Sequence, residues 1–246
     1  YAYDEPGLAH DLFVKFSCDF DDPIFDLRKQ ELEAEVRLAS ISRHPNFPIA
    51  VARAYFADHN RATGTGILIT ERIAYGENGI ALPIPKCKDH LLRDPLPYYR
   101  ALLTALARLA AAHKSGRIAA EVKAGFPFDP ERAAAEDPIP YSAAELSAQV
   151  ASFAALAAEA PQLFPAHIRD PEFIARFEPE ALRFGEAEAA IKRFLHAQPD
   201  YVALCHWNAH IDNGWYWLGA DGELQCGLMD WGRVRQLNLG YAIWGC

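Results

Sequence analysis

A stretch rich in proline and glycine, residues 76–97, constrains most strongly what this chain can fold into. It holds four prolines and two glycines, and neither a long helix nor a central strand runs easily through such a sequence. The residues before it are mainly β-prone, whereas those after it show mostly helical spacing. We therefore predict an α+β fold with two lobes, residues 1–75 and residues 76–246.

The first part of the chain has the pattern of a small sheet with one helix. Leu32, Val36 and Ala39 recur at helical spacing, and apolar runs bounded by turn residues predict strands. The predicted elements are strands at residues 1–3, 12–16, 51–56 and 66–73 and a helix at residues 26–42.

The second part begins with helical spacing and ends in a pattern typical of a β-hairpin. Residues 114–137 show no assignable pattern. The turn sequence Gly-Ala-Asp-Gly at residues 219–222 separates two apolar runs, as expected for a hairpin. The predicted elements are helices at residues 99–113, 143–158 and 186–197 and strands at residues 201–205, 215–218 and 223–229.

Composition excludes several classes of protein. Of the 246 residues, 51% are hydrophobic and 23% are charged, which suffices for a full core and differs from a disordered chain. The net charge of −9 argues against general affinity for nucleic acid or anionic membranes. No apolar run reaches the ~18–20 residues of a membrane span, and no N-terminal stretch has the layout of a signal peptide.

Cysteine and methionine usage supports two further expectations. The five cysteines are scattered and form no Cys-x-x-Cys pair, which predicts a reducing, cytoplasmic location rather than a disulfide scaffold. The only methionine is Met229, and residue 1 is tyrosine, so we expect the sequence to be an internal segment truncated at both ends.

Polar side chains stand at both ends of the predicted hairpin. Asn213 enters it and Asp230 leaves it, and a tight hairpin returns the chain to its starting point. An amide oxygen and a carboxylate that converge in this way suit Mg²⁺, which prefers oxygen ligands and nucleotide phosphates. The hairpin therefore predicts a magnesium site that holds a nucleotide.

The two segments around this hairpin resemble the signature motifs of the aminoglycoside phosphotransferase and choline kinase group. Residues 206–213, His-Trp-Asn-Ala-His-Ile-Asp-Asn, resemble its catalytic loop HxDxHxxN, and Asp230-Trp-Gly resembles its metal motif. The resemblance implies a bilobal protein-kinase-like fold, with a small antiparallel-sheet N-lobe and a mainly helical C-lobe. It also implies an ATP- and Mg²⁺-dependent phosphotransferase that acts on a hydroxyl of a small molecule. His206, Asn208 and His210 would then be catalytic-loop residues, and Asn213 and Asp230 the metal ligands.

The nucleotide-binding residues that the resemblance implies lie in the first part of the chain. Lys15, in the run Phe-Val-Lys-Phe, resembles the strand lysine that holds the α- and β-phosphates. Its expected partner is a glutamate on the following helix, and Glu35 lies on the apolar face whereas Glu31 and Glu33 lie toward the flanks. The hinge that would grip adenine matches Thr70, Glu71, Arg72 and Ile73.

The catalytic aspartate of the resembled motif is Asn208 in this chain. An amide cannot accept a proton from a hydroxyl at neutral pH. The alternative hypothesis is therefore a catalytically impaired, nucleotide-binding pseudoenzyme with a regulatory or scaffold role. The glycine-rich loop that would precede Lys15 is also missing, and we attribute this to truncation.

Other interpretations of these residues are weaker. Cys205, His206, His210 and Cys226 lack the paired short spacing of structural zinc sites. The Trp-Tyr-Trp run at residues 215–217 fits core packing better than base stacking. In the resembled group the helices that correspond to residues 141–198 line the acceptor pocket, and their many acidic residues would suit a cationic acceptor such as an amino sugar or choline. The sequence does not indicate an oligomeric state.

Overall fold

The computed structural model describes residues 11–17 and 25–244, and it confirms the mixed α+β class. The chain forms two compact units: Tyr1–Phe128 with Asp200–Cys246, and Asp129–Pro199. The strand expected at residues 1–3 lies outside the described residues. No helix among those described is long and apolar enough to cross a membrane.

The helices and strands alternate irregularly along the chain. The strands are β1 (Leu12–Phe16), β2 (Ala50–Val51), β3 (Ala54–Asn60), β4 (Thr65–Glu71), β5 (Val202–Cys205), β6 (Gly214–Leu218), β7 (Leu224–Leu228) and β8 (Arg235–Asn238). The helices are α1 (Phe25–Ile41), α2 (Leu96–Lys114), α3 (Ala119–Gly125), α4 (Pro130–Ala135), α5 (Ala143–Glu159), α6 (Pro171–His196) and α7 (Leu239–Trp244).

The first sheet is antiparallel with the order β1–β4–β3, and it places Lys15 opposite Leu68. Helix α1 packs on it through a small cluster that includes Leu32, Ala39 and Leu68. Leu68 and Thr70 of β4 are buried and alternate with less buried neighbours, as the two-residue period of a strand requires. The predicted strands at 12–16 and 66–73 and the helix at 26–42 are therefore confirmed, with ends shifted by up to two residues.

The second sheet has the order β2–β7–β6, with β2 parallel and β6 antiparallel to β7. It confirms the predicted hairpin. Trp215 lies opposite Gly227, where a Cβ atom would come within 2.2 Å of the indole ring, so this position requires glycine. The strand predicted at residues 51–56 is instead divided between β2 and β3, which belong to different sheets, because β2 pairs with a strand far along the chain.

Helix α2 supplies the centre of the largest core cluster. Leu102, Leu106 and Leu109 are buried on one face at spacings of three and four residues, against β5 and β7. The antiparallel pair β5–β8 lies beside this core. The core thus packs against the strands β5 and β7 and supports the loop that follows β5 and the end of β7.

The second unit, Asp129–Pro199, contains α4, α5 and α6. Ser142 and Glu145 form a capping box that begins α5, as a serine followed by glutamate predicts. Helix α6 begins at Pro171, earlier than the pattern at 186–197 predicts, and Pro179 lies inside it. Two short helices, α3 and α4, occupy most of the stretch that the sequence left unassigned.

Candidate functional site

A cavity of about 560 Å³ lies among β1, β4, α1 and the end of β7. Much of its wall is apolar, and its polar groups come from separate segments of the first unit. The lining residues with polar side chains are Lys15, Glu35, Ser42, Thr70, Glu71, Arg72, Tyr75, Asn213 and Asp230. Ile73 also lines the cavity, so all eight residues that the sequence predicts for nucleotide or metal binding lie on the wall of one cavity.

Lys15 joins the two sides of this cavity by ion pairs. Its Nζ lies 2.6 Å from Oε1 of Glu35 on α1 and 3.2 Å from Oδ1 of Asp230 after β7. The Glu35 side chain is only 3% exposed, whereas that of Asp230 is 44% exposed. The expected pairing of Lys15 with Glu35 is confirmed.

The other two glutamates of α1 have different partners. Oε1 of Glu31 lies 3.2 Å from Nε of Arg233, and Oε1 of Glu33 lies 2.6 Å from Nε of Arg61. Glu33 lies two positions from Glu35 and thus on the opposite side of the helix. Glu31 lies one turn before Glu35 on a neighbouring part of the surface, where it pairs with Arg233. Glu35, the glutamate selected from its place on the apolar face, is the one that pairs with Lys15.

Burial and charge act in opposite directions on the three ionisable groups. Burial raises the pKa of Glu35 to about 7, although Lys15 pulls it down. Burial would also raise the pKa of Asp230, but the nearby Lys15 ammonium holds it below its usual value. Burial would lower the pKa of Lys15, but Glu35 and Asp230 raise it. Lys15 therefore stays charged, and Asp230 stays ionised at neutral pH.

The loop after β5 is held by His206, which is fully buried. Its Nε2 lies 2.8 Å from the carbonyl oxygen of Met229, and its ring lies 4.2 Å from that of Trp231. Because a carbonyl only accepts, Nε2 carries the proton. Burial lowers the pKa of His206 to about 4, so the ring is neutral and acts as a structural tie between the two loops.

Asn213 is fixed where the hairpin begins. Its backbone carbonyl accepts a hydrogen bond from Met229 N–H at 2.9 Å, and its side-chain Nδ2 donates to the carbonyl of Asn208 at 2.8 Å. Within the described ranges its amide oxygen has no hydrogen-bond partner, and the residue lines the cavity. Asp230, which lines the same cavity, has a left-handed backbone with φ of 61°. The expected convergence of Asn213 and Asp230 is thus observed, while metal binding stays a prediction.

Asn208 is held by its backbone and not by its side chain. Its N–H donates to the carbonyl of His206 at 2.8 Å across a tight turn at Trp207, whose φ is 60°. In the part of the chain that the structure describes, the half-buried Asn208 side chain makes no hydrogen bond. His210 is exposed on the same loop. Asp212 accepts a hydrogen bond from the backbone N–H of Cys87 at 2.7 Å, which ties its carboxylate to a neighbouring loop.

The predicted hinge residues form the end of β4 and the turn that follows. Thr70 is buried and its hydroxyl donates to the carbonyl of Glu71 at 2.9 Å, and Arg72 N–H donates to the carbonyl of Asp11 at 3.3 Å. The backbone N–H of Ile73 has no hydrogen-bond partner among the described residues. Because Ile73 lines the cavity, this N–H is a candidate donor to a ligand there.

The structure does not support a zinc site. No three His, Cys, Asp or Glu side chains in the described ranges are placed to hold a metal together. The Cys205 thiol donates to backbone carbonyls, and burial raises its pKa to about 12. A cation bound by Asn213 and Asp230 would therefore need further oxygen ligands, such as the phosphates that Mg²⁺ prefers.

Two residues near the site were not predicted from the sequence. The Arg233 guanidinium lies 4.7 Å from the ring centroid of Trp207 and also pairs with Glu31. The hydroxyl of Tyr75, on the cavity wall, lies 3.5 Å from the sulfur of Met229. The only sequence signal for Arg233 was its place directly after Asp-Trp-Gly.

Comparison of the chain with protein-family models, with curated proteins and with solved structures found no match.

Proposed function

We propose that this chain is an ATP-dependent phosphotransferase of the aminoglycoside phosphotransferase type with a bilobal kinase-like fold. The observation that carries the proposal is the ion-paired cluster of Lys15, Glu35 and Asp230 at a cavity of nucleotide size. Three segments far apart in sequence supply these groups, and the sequence motifs predict a nucleotide-binding role for each of them.

Each polar group has a distinct role in this proposal. Lys15 binds the α- and β-phosphates, and Glu35 orients it. Asp230 and the free amide oxygen of Asn213 bind Mg²⁺, which neutralises charge on the transferred phosphoryl group. The apolar wall takes the base, and the free N–H of Ile73 donates a hydrogen bond to it. The phosphoryl group passes to an oxygen of a small molecule, which the resemblance would make a hydroxyl.

Calorimetric titration with MgATP tests the nucleotide site. We expect Asp230→Ala to weaken binding by about tenfold or more and Asn213→Ala to weaken it less, because a carboxylate offers Mg²⁺ a full charge and an amide only a dipole. Asp221→Ala is a matched control, since Asp221 is exposed in the turn of the same hairpin and does not line the cavity. Equal affinity in all four proteins would remove the metal site from the proposal.

A second candidate is a nucleotide-binding pseudoenzyme, which Asn208 at the base position favours. Both candidates require MgATP binding, and only the enzyme releases ADP when an acceptor is present. Turnover that disappears in Asp230→Ala would favour the enzyme. MgATP binding without turnover would favour the pseudoenzyme.

We also propose that the chain works in a reducing compartment. Cys87, Cys205 and Cys226 are free thiols, and Cys87 is exposed. An exposed free thiol is oxidised readily outside such a compartment.

A further inference from the structure

Among the residues that the structure describes, no ionisable side chain at the site is both positioned and open to an acceptor that would lose a proton. A hydroxyl loses a proton when it is phosphorylated, and a base must lie within hydrogen-bond reach of it. Asp230 and Glu35 are paired with Lys15. Asp212 accepts from the Cys87 N–H through Oδ2, and its Oδ1 is buried away from solvent, where an acceptor does not reach it. His206 is buried and already bonded to Met229.

The remaining titratable group on the loop is His210, which is exposed. In the described ranges no hydrogen bond orients its side chain. A base that is not positioned contributes little to catalysis.

Asn208, in contrast, is positioned but cannot act as a base. Its backbone is fixed at both the N–H and the carbonyl, and its side-chain amide is free of partners in the described structure. An amide NH₂ donates hydrogen bonds and carries no charge, so it can approach an anion that a carboxylate would repel. The Arg233 guanidinium, stacked on the adjacent Trp207, lies on this side of the loop, with its charge shared with Glu31.

From this arrangement we propose that the phosphoryl acceptor is an oxygen that is already ionised in solution, a carboxylate or a phosphate, and that the Asn208 amide donates a hydrogen bond to it. The inference rests on the proposed phosphotransferase function and specifies its substrate class. It replaces the hydroxyl acceptor, cationic or neutral, that the resemblance implies.

Such a transfer balances without a base. The acceptor oxygen forms a bond to the γ-phosphorus, and the bond from that phosphorus to the bridging oxygen of ADP breaks. A carboxylate and ATP then give an acyl phosphate and ADP, and a phosphate gives a pyrophosphate and ADP. No proton is released in either step, so the absence of an aspartate at position 208 carries no penalty.

Charge at position 208 gives the sharpest test, because the two acceptor classes predict opposite signs. With an anionic acceptor, Asn208→Asp should lower kcat/KM by about tenfold or more through like-charge repulsion. With a hydroxyl acceptor it should raise the rate, since a positioned base contributes about 10²–10⁴-fold. Asn208→Ala is the matched neutral control. The kcat/KM of Asn208→Ala should fall less than that of Asn208→Asp, because the alanine variant loses the hydrogen bond without adding a charge.

The assay uses the full chain with MgATP and four probe acceptors: acetate, inorganic phosphate, ethanol and 2-aminoethanol. Hydroxylamine traps acetyl phosphate, and labelled γ-phosphate identifies pyrophosphate and the phosphate esters. Acetate stays ionised between about pH 6 and pH 9, so only the titration of Glu35 should change transfer to it, and Glu35→Gln should transfer at a rate that is constant across that range.

Transfer to acetate or phosphate, slowed by Asn208→Asp, supports the proposal. Transfer to the alcohols alone, acceleration by Asn208→Asp, or no transfer to either anion by a chain that binds MgATP overturns it. Failure of the proposed function is distinct, because the wild-type chain would then show no Asp230-dependent MgATP binding in the calorimeter.

Discussion

Replacing Glu35 by glutamine tests the electrostatic account of the Lys15 cluster. The change keeps the size of the side chain and removes its ability to ionise. Because Glu35 is buried and paired with Lys15 at 2.6 Å, its ionisation should be visible in the pH dependence of folding.

The structure sets both the sign and the size of the effect. Burial raises the pKa of Glu35 from 4.5 to about 7 in the folded chain. The folded state therefore holds this proton more tightly than the unfolded state, and the stabilisation that this provides is lost as pH rises from about 4.5 through about 7. The difference of about 2.5 pKa units at 1.36 kcal/mol each gives at most about 3 kcal/mol in the free energy of unfolding.

Urea unfolding between about pH 4 and pH 8.5, in the presence of EDTA, measures this effect. The free energy of unfolding of the wild type, relative to Glu35→Gln, should fall as pH rises across that window. Glu33→Gln is the matched control with the opposite sign. Burial would raise the Glu33 pKa, but Arg37 and Arg61 lower it, so the stability that Glu33 provides is present above its unfolded pKa and is lost as pH falls.

A pH dependence that is the same in wild type and Glu35→Gln would refute this reasoning. It would mean that Glu35 titrates alike in the folded and unfolded chains, so that its burial and its pairing with Lys15 offset each other. A relative stability that rises with pH would show that the ion pair outweighs burial.

Three further predictions concern stability. His206, with its pKa lowered by burial to about 4, should make the free energy of unfolding fall by at most about 3 kcal/mol between pH 6.5 and pH 4, and urea titrations of His206→Gln should lack this fall. Gly227→Ala should lower the free energy of unfolding by about 1–3 kcal/mol, since its Cβ would meet the Trp215 ring, and calorimetry should show a lower melting temperature; an unchanged melting temperature would contradict the close contact. Lys192→Met should destabilise the second unit by about 1–3 kcal/mol, because the half-buried Glu188 loses its ion-pair partner 2.7 Å away and keeps, among the described residues, only the backbone N–H of Ile139. A double variant with Glu188→Gln, which still accepts from Ile139, should recover part of that stability in the same urea assay; no loss in the single variant would show that the pair contributes nothing.

The parts of the fold that follow from local periodicity could be predicted from the sequence. Strand β1, helix α1 and the β6–β7 hairpin each carry their own signal in consecutive residues. The choice of Glu35 needed only the angular spacing of a helix, and the meeting of Asn213 and Asp230 needed only the return of a hairpin. These inferences succeed because the distances involved are fixed by backbone geometry.

The parts that depend on distant segments could not be predicted in this way. Strand β2 has two residues, and its place is set by a parallel partner, β7, near the other end of the chain. The contact of Asp212 with the Cys87 loop likewise has no local signal. The length of helix α6 is underestimated from the sequence, because the prolines at its start and in its interior argue against a helix there. Proline at a first helical position is nevertheless compatible with a helix.

The ion pair between Lys15 and Asp230 joins residues that are 215 positions apart. At synthesis rates of about 5–20 residues per second, about 10–40 s pass between the appearance of the lysine and that of the aspartate. Strand β1 has left the ribosome for most of that interval. Its side chains Leu12, Phe13 and Phe16 are exposed even in the finished fold, so no later segment buries them completely. The cavity can therefore close only after translation has passed β7, and a nascent chain stalled before that point presents an apolar strand to chaperones and to other chains.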